Sequence, residues 1–201
     1  MSRKVVLATK NRGKIAELRE ILAGSGLEVL SGEEVELPHV EETGSTFEEN
    51  ALRKASVTAS ALGMAAIADD SGLVVDVLGG EPGVRSARYA GDDAGDEENI
   101  AKLLSNLAGV PPEERTARFV CAAAYVESGD GESLLALGSC EGRILSEPRG
   151  EGGFGYDPVF LPEGYDLAMA ELPPETKNAI SHRGKAFRKL RDQLRAAGLL
   201  R

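Results

Sequence analysis

The chain has 201 residues, which suits one domain or one domain with two lobes and allows a buried core without disulfides or structural metals. Only 4 % of the residues are aromatic and Trp is absent, so aliphatic residues and Ala must fill the interior. The balance of 33 acidic against 23 basic residues gives a net charge of −10, which disfavours binding to nucleic acid or to an anionic membrane surface. No signal peptide or membrane-spanning run is visible, and we expect a cytoplasmic protein.

The first element is a short apolar run over residues 4–8, which predicts a buried strand. Thr9-Lys10-Asn11-Arg12-Gly13-Lys14 follows it, and apolar residues then recur at helical spacing from Ile15 to Leu22. A polar loop at a helix N-terminus can bind an anion, because unpaired backbone N–H groups and the helix dipole face it. The spacing is not that of a Walker A loop, and a plain helix cap with exposed bases is the alternative.

Leu27–Leu30 predicts a second strand, and an acidic connection over residues 33–42 leads to the next helix. That helix begins with capping-box chemistry, either Ser45 with Glu48 or Thr46 with Glu49, and Gly63 ends it. Lys54 lies two turns along this helix, where a solvated lysine is the alternative to a functional one. His39, alone in the acidic connection, is expected at the surface.

The central stretch is Ala66-Ile67-Ala68-Asp69-Asp70-Ser71-Gly72-Leu73-Val74-Val75. Its composition predicts a buried strand, a turn that contains both acids, and a second strand over residues 73–78. Two neighbouring acids at the end of an apolar strand are costly to desolvate unless a cation or hydrogen-bond donors meet them. An ordinary solvated turn is the alternative.

Further along, Asp96 is expected to cap a helix over residues 99–107. Thr116–Val126 and Ser133–Ile144 flank Ser128-Gly129-Asp130-Gly131 and predict a hairpin. Cys121 and Cys140 lie on its two arms and are expected to be reduced core residues, with a cross-strand disulfide as the alternative.

The last third of the chain contains two unusual segments. Glu151-Gly152-Gly153-Phe154-Gly155-Tyr156-Asp157-Pro158 combines glycines, which permit close backbone approach, with the flat faces of two aromatic rings, although a plain glycine-rich turn would have the same composition. Residues 173–178 are predicted to form an irregular link. Ser181 then caps the final helix, and His182 and Arg183 fall in its first turn, where a cation needs an anionic or polar partner.

These motifs together resemble the inosine triphosphate pyrophosphatase family, also called dITP/XTP pyrophosphatases. They match in the family's order and cover nearly the whole length. The matching segments are residues 8–14, 41–44, 46–51, 67–73, 75–80, 82–89, 153–158 and 179–184. Lys10 stands where members often carry Gly, in a loop position that varies.

The resemblance implies an α/β fold of the ITPase type: a single domain over residues 1–201, elongated and two-lobed, with a long curved mixed β-sheet flanked by helices. It implies a substrate cleft between the lobes and a homodimer. It also implies a hydrolase that converts non-standard purine nucleoside triphosphates (ITP, dITP and XTP) to the monophosphate and pyrophosphate, and so keeps them out of DNA and RNA.

Joined to the residues above, the resemblance implies roles for individual side chains. Asp70, supported by Asp69 and Lys54, is the expected catalytic group, and Glu41 and Asp70 are the expected ligands of Mg²⁺, which prefers oxygen donors. Arg183 or His182 is expected to donate to the 6-keto oxygen of the purine. The expected substrate-binding residues are Thr9, Lys10, Asn11, Arg12, Gly13, Lys14, Ser71, Phe154, Gly155, Tyr156, Asp157, Lys177, His182 and Arg183.

Two alternatives remain at this point. One is a nucleotide pyrophosphatase of different base specificity on a similar fold, such as the Maf-like enzymes. The other is a nucleotide sensor that binds without turnover, although such a protein would not need water-activating acids.

Overall fold

The structure is a computed structural model that describes residues 3–129 and 131–200. In this part of the chain six strands run in the order β1 Arg3–Leu7, β2 Leu27–Leu30, β3 Ala66–Val75, β4 Thr116–Val126, β5 Ser133–Ile144 and β6 Phe160–Pro162. The α-helices are α1 Arg12–Leu22, α2 Phe47–Leu62, α3 Asp96–Asn106, α4 Pro174–Ile180 and α5 His182–Ala196. No described helix is both long and apolar enough to cross a membrane.

The strands form one mixed sheet in the order β2-β1-β3-β4-β5-β6. β1 pairs in parallel with β2 and with β3, whereas β5 and β6 pair antiparallel. The arms of the predicted hairpin have the predicted bounds, although Asp130 of its turn lies outside the described residues. The mixed sheet with flanking helices confirms the predicted fold class, and Cys121 and Cys140 are buried thiols, as expected.

The prediction of a turn at the two acids is wrong. β3 runs without interruption from Ala66 to Val75, and a single 3-10 turn follows over Asp76–Leu78 where a second strand was expected. Asp, Ser and Gly favour turns locally, but tertiary packing on both faces of a buried strand overrides that preference. Asp69 and Asp70 are therefore consecutive residues in the middle of a strand.

Helix boundaries follow local capping chemistry. Asn11 caps α1 by accepting a hydrogen bond from the backbone N–H of Lys14, and Thr46 caps α2 by accepting from that of Glu49, which selects the second of the two predicted capping pairs. The irregular link predicted over residues 173–178 is wrong, since Pro174 opens helix α4 there. Asp96 is the first residue of α3 and not its cap, a position that Gly95 holds.

The chain divides into two compact units. The first comprises Met1–Asp70, Cys121–Gly138 and Arg183–Arg201, and the second Ser71–Val120 and Ser139–His182. Aliphatic side chains dominate the core of the first, including Val5, Leu18 and Ile67, with Tyr125 and Phe187 as its aromatic members. The core of the second contains Leu73, Leu103, Phe119, Phe160 and Met169.

Candidate active site

The alternation of side chains along β3 separates the two neighbouring acids. Successive residues of a strand point to opposite faces of the sheet, so Asp69 and Asp70 enter different surroundings although they are adjacent in sequence. Asp69 is 2 % exposed and Asp70 is 5 % exposed. Burial of two carboxylates at this depth requires compensating cations or donors on both faces.

Asp69 is compensated by basic side chains of the first unit. Its Oδ2 accepts a hydrogen bond from Lys14 Nζ at 2.9 Å and lies 3.5 Å from Arg183 Nε. The Arg183 guanidinium also donates through Nη1 to Glu17 Oε2 at 2.5 Å. Burial alone would raise the pKa of Asp69, but Lys14, Arg183 and Lys54 outweigh it and hold that pKa well below its usual range. Asp69 is therefore a fixed anion and a weak base.

The charge of Asp70 is compensated less strongly than that of Asp69. Its Oδ2 accepts from the side-chain amide of Asn50 at 2.9 Å, and its Oδ1 lies 3.7 Å from Lys54 Nζ. Burial raises the pKa of Asp70, Lys54 lowers it, and the carboxylate of Glu42 raises it again, so that the net direction is upward. The environments thus push the pKa values of the two acids apart, and Asp70 is the better proton acceptor.

Lys54 links the acids to the segment that precedes α2. Its ammonium donates to Glu42 Oε1 at 2.7 Å, and its side chain is only 13 % exposed, so it is not a solvated lysine. Burial lowers the pKa of Lys54, but the carboxylates of Asp69, Asp70 and Glu42 raise it above its ordinary value. Glu41, the predicted metal ligand, is exposed beside Glu42.

Residues 9–14 lie where the sequence predicted them, as the loop after β1 and the first turn of α1. The backbone N–H of Asn11 donates to Thr9 Oγ1 at 3.2 Å, and Asn11 then caps the helix. Lys10, Asn11 and Arg12 are exposed, and the first turn of α1 consists of Arg12, Gly13 and Lys14. Because this turn carries bases and no acid, the positive end of the helix dipole is left available to an anion.

The predicted aromatic segment lies in the second unit and is organised around Asp157. Asp157 Oδ2 accepts from the backbone N–H of Phe154 at 2.9 Å and from Lys177 Nζ at 2.7 Å. The Lys177 ammonium also lies 4.9 Å from the centre of the Phe154 ring, a cation–π distance. Only glycine fits at position 153, because its φ is 75° and a Cβ there would lie 2.1 Å from Asp157 Oδ2.

Two further hydrogen bonds hold this segment in the second unit. The backbone N–H of Gly155 donates to Asp96 Oδ2 at 2.7 Å, and the Tyr156 hydroxyl donates to the backbone carbonyl of Ser86 at 2.8 Å. Tyr156 is 5 % exposed, so its ring belongs to the core. Its predicted contact with substrate stays a prediction, whereas its role in fixing the segment is visible.

His182 and Ser71 complete the predicted set. His182 begins α5, is 6 % exposed and stacks on Phe119 with ring centres 4.8 Å apart and planes 13° from parallel. Ser71 continues β3 directly after the acids and is partly exposed. Arg183 is held between the carboxylates of Glu17 and Asp69. The sequence predicted a contact of Arg183 with the purine and did not predict these two partners.

Comparison with known proteins decides the family. The sequence model of the Ham1 family matches residues 5–193. The chain belongs to the Ham1 family. A relative from Geobacter sulfurreducens named dITP/XTP pyrophosphatase is 54 % identical over 197 residues, which cover 98 % of each chain. The relative of the same name from Geobacillus kaustophilus is 54 % identical over 192 residues, 95 % of this chain and 94 % of its own.

Solved structures of Ham1 proteins have the same fold. The HAM1 protein from Coxiella burnetii superposes with a TM-score of 0.88 at 44 % identity, over 96 % of this chain and 99 % of its own. The Staphylococcus aureus Ham1 protein gives 0.86 at 43 % identity, over 97 % and 100 %. The family resemblance derived from the motifs is thereby confirmed for nearly the full chain.

Three residues of this Ham1 site escaped prediction. Glu17 lies one turn after Lys14 on α1, and that i, i+3 spacing is the signal that could have placed both on one face. Asn50 stands within a quoted family motif, where its amide contacts Asp70 and its carbonyl oxygen accepts from the backbone N–H of Gly44 at 2.8 Å. Glu42 could not be chosen over its neighbour, because spacing does not separate adjacent acids.

Proposed function

We propose that this chain hydrolyses non-standard purine nucleoside triphosphates, namely ITP, dITP and XTP, to the nucleoside monophosphate and pyrophosphate. The family and the relatives named dITP/XTP pyrophosphatase support a hydrolase that acts on nucleoside triphosphates and cleanses the nucleotide pool. The single observation that carries the chemistry is the pair of adjacent buried acids in β3 with different partners. Asp69 is paired with Lys14 and Arg183, whereas Asp70 accepts from Asn50 and lies 3.7 Å from Lys54.

The phosphate chain would be bound by the basic residues of the first unit. In a molecule of net charge −10, a triphosphate needs a local concentration of cations to approach. The N-terminus of α1 supplies backbone N–H groups, and Lys14 and Lys54 supply ammonium groups beside the two acids. These groups stabilise the charge that develops on the leaving pyrophosphate, where positioning and electrostatics account for most of the catalysis.

Asp70 is the group that we assign to the attacking water. The Asn50 amide fixes the orientation of its carboxylate, whereas the neighbouring Asp69 is already paired with Lys14 and Arg183. A water that donates to Asp70 would lose its proton to that carboxylate as it attacks the α-phosphorus. Asp69 remains ionised and holds Lys14 and Arg183 in place.

The residues also fit a magnesium ion. The carboxylate oxygens of Asp70 and Glu41 are donors of the kind that Mg²⁺ prefers, and a bound cation would offset the cost of burying Asp70. No cluster of three or more candidate metal ligands occurs among the described residues, so phosphate oxygens and water would have to supply the other positions. Such a site leaves coordination positions for phosphate oxygens and water, as Mg²⁺ prefers. We propose that Asp70 and Glu41 hold the ion, whereas Glu42 holds Lys54. When bound, the ion would polarise phosphoryl oxygens as a Lewis acid.

A pair of neighbouring variants tests this division of roles. Glu41→Gln is expected to weaken Mg²⁺ binding by about tenfold or more, because a carboxylate ligand is lost, with little change in the fold. Glu42→Gln is expected to leave Mg²⁺ affinity nearly unchanged and to raise KM, because Lys54 loses its closest carboxylate. Isothermal titration with MgCl₂ and a non-hydrolysable triphosphate measures the affinity. The reverse pattern would transfer the metal-binding role to Glu42.

For the base, the second unit offers an apolar ring with polar groups around it. Phe154 would present an aromatic face, and His182 carries an N–H donor on an imidazole that stacks on Phe119. Hypoxanthine and xanthine have a 6-keto acceptor that such donors can satisfy, whereas the 6-amino group of adenine would leave them unpaired. A site of this kind can discriminate by about 10⁴. The contact of Arg183 with the base edge stays part of the proposal, beside its visible contacts with Asp69 and Glu17.

The direct experiment is to measure pyrophosphate release from ITP, dITP, XTP, ATP and GTP, with and without Mg²⁺. Turnover of the first three with Mg²⁺, and much lower turnover of ATP and GTP, is the expected result. Equal turnover of ATP and ITP would remove the base specificity. Formation of IDP and orthophosphate would place the cleavage at the terminal phosphate, and binding without turnover would make the protein a sensor.

A further inference from the structure

Helix α3 contacts the aromatic segment of the second unit through its first residue. We name residues 153–157 of this segment the aromatic loop. The side chain of Asp96 accepts a hydrogen bond, through Oδ2, from the backbone N–H of Gly155 at 2.7 Å. Asp96 therefore holds the backbone one residue after Phe154, the ring that we assign to the purine.

The contact between Asp96 and Gly155 is the kind that can fix a loop. It is short and its acceptor is a carboxylate, and such charge-assisted bonds are stronger than those between neutral groups. Gly155 has a φ of 61°, and a Cβ at this position would have no described atom within 4 Å. Packing on this side of Gly155 therefore does not hold the backbone, whereas the hydrogen bond to Asp96 does.

The aromatic loop has a second anchor, which is buried. The hydroxyl of Tyr156 donates to the backbone carbonyl of Ser86 at 2.8 Å, and Ser86 Oγ in turn accepts from the backbone N–H of Leu73 in β3 at 2.9 Å. Burial raises the pKa of Tyr156, and Tyr89 and Asp96 raise it further, so the hydroxyl keeps its proton and remains a donor. The buried side of the loop is thereby connected to the sheet.

Further residues of α3 hold the segment that contains this second anchor. The spacing of three residues places Asp96, Asn99 and Lys102 on one face of the helix. Asn99 accepts from the backbone N–H of Ala90 at 2.7 Å, and Lys102 donates to the backbone carbonyl of Tyr89 at 2.6 Å. One face of α3 therefore contacts both the aromatic loop and the segment to which the loop is anchored.

We propose that Asp96 is a positioning residue for purine recognition, because its carboxylate holds Gly155 and so keeps the Phe154 ring in the orientation that meets the base. This inference rests on the proposed function for the assignment of the purine to Phe154. Asp96 acts through the loop and not by contact with the substrate. A loop that is already ordered loses less conformational freedom when the base binds, so the benefit concerns the nucleoside and not the phosphate chain.

The test compares two ligands by isothermal titration of the full chain: inosine monophosphate, which carries the purine, and inorganic triphosphate, which does not. Asp96→Ala is expected to weaken binding of inosine monophosphate by about tenfold, the effect of one hydrogen bond to a charged group. The affinity for inorganic triphosphate is expected to stay unchanged. Asp96→Asn keeps an oxygen acceptor and is expected to recover most of the lost affinity.

Glu97→Ala is the matched control, because it removes an exposed carboxylate from the same first turn of α3. It is expected to bind both ligands like the wild type, and circular dichroism verifies that all three variants fold. Steady-state kinetics supply the second measurement. KM for ITP is expected to rise about tenfold in Asp96→Ala with kcat nearly unchanged, a split that general damage to the fold would not produce.

The outcomes separate the positioning role from the proposed function. Wild-type affinity for inosine monophosphate in Asp96→Ala, or an equal loss in Glu97→Ala, would overturn the positioning role and leave the proposed function standing. An equal loss of affinity for inosine monophosphate and inorganic triphosphate would also overturn it. Binding of inosine monophosphate that depends on Asp96 in a chain that does not hydrolyse ITP would support the positioning role and reject the proposed function.

Discussion

Asp70→Asn is expected to lower turnover of ITP by about 10² or more while leaving the fold intact. The amide has the same shape, but it neither accepts a proton from water nor supplies a full negative charge to a cation. KM is expected to change less than kcat, because the phosphate-binding lysines and the N-terminus of α1 remain. Pyrophosphate release at saturating ITP measures the effect, and Asp192→Asn on the exposed side of α5 is the control.

The same variant carries a second expectation, which concerns stability. Because the pKa of Asp70 is raised in the folded chain, its ionised form is less favourable there than in the unfolded chain at neutral pH. A neutral Asn therefore keeps or increases the free energy of unfolding at pH 7 while activity is lost, the usual opposition between stability and function at a catalytic group. Unchanged turnover in a folded Asp70→Asn protein would refute the catalytic role of this carboxylate.

Sequence patterns predicted correctly those elements that depend on interactions between residues close together in the chain. The hairpin β4–β5 has the predicted bounds, because long alternating strands and a glycine-rich turn are encoded by near neighbours. The capping residues Asn11 and Thr46 likewise act within three or four residues of their own position. The prediction of a mixed sheet rested on the family resemblance and on the alternation of predicted strands and helices along the chain.

The course of β3 could not be predicted from its own composition. Asp69-Asp70-Ser71-Gly72 has the residues of a turn, and a continuous strand is tolerable there because distant cations and the Asn50 amide meet the two carboxylates. Lys14 and Arg183, 55 and 114 positions away from Asp69 along the chain, neutralise one face, and Lys54 meets the other. The same long-range pairing explains why the carboxylate partners of Arg183 could not be named from the sequence: Glu17 lies on α1 and Asp69 on β3, both far from Arg183 along the chain. The predicted cleft and homodimer stay predictions.

Asp69→Asn is expected to destabilise the first unit by about 3–5 kcal/mol at pH 7, since it leaves buried cations without their shared carboxylate. Lys14 and Arg183 both contact Asp69 Oδ2, and the Arg183 side chain is only 4 % exposed, so water cannot replace the lost charge. Activity is expected to fall as well, because Lys14 is then no longer held beside the site. Urea unfolding followed by circular dichroism suits a chain without Trp.

The pH dependence of the stability that is lost in Asp69→Asn gives the sharper test. The folded chain holds the pKa of Asp69 below its usual range, so its stabilising effect is fully present above about pH 4, the ordinary value, and is lost as the pH falls towards the folded-state value. The difference in unfolding free energy between wild type and Asp69→Asn is therefore expected to be constant from pH 5 to 7. Below about pH 4 it should shrink by about 1.4 kcal/mol per pH unit.

Asp93→Asn, at an exposed position, is the control for this experiment and should give a difference near zero at every pH. A difference between wild type and Asp69→Asn that is small at pH 7, or that does not change between pH 5 and 3, would show that Lys14 and Arg183 do not depend on Asp69. In that case the opposite shifts of the two pKa values would lose their physical basis. The assignment of Asp70 as the proton acceptor would then depend on the family resemblance alone, because the contrast between the two faces of β3 is what separates the neighbouring acids.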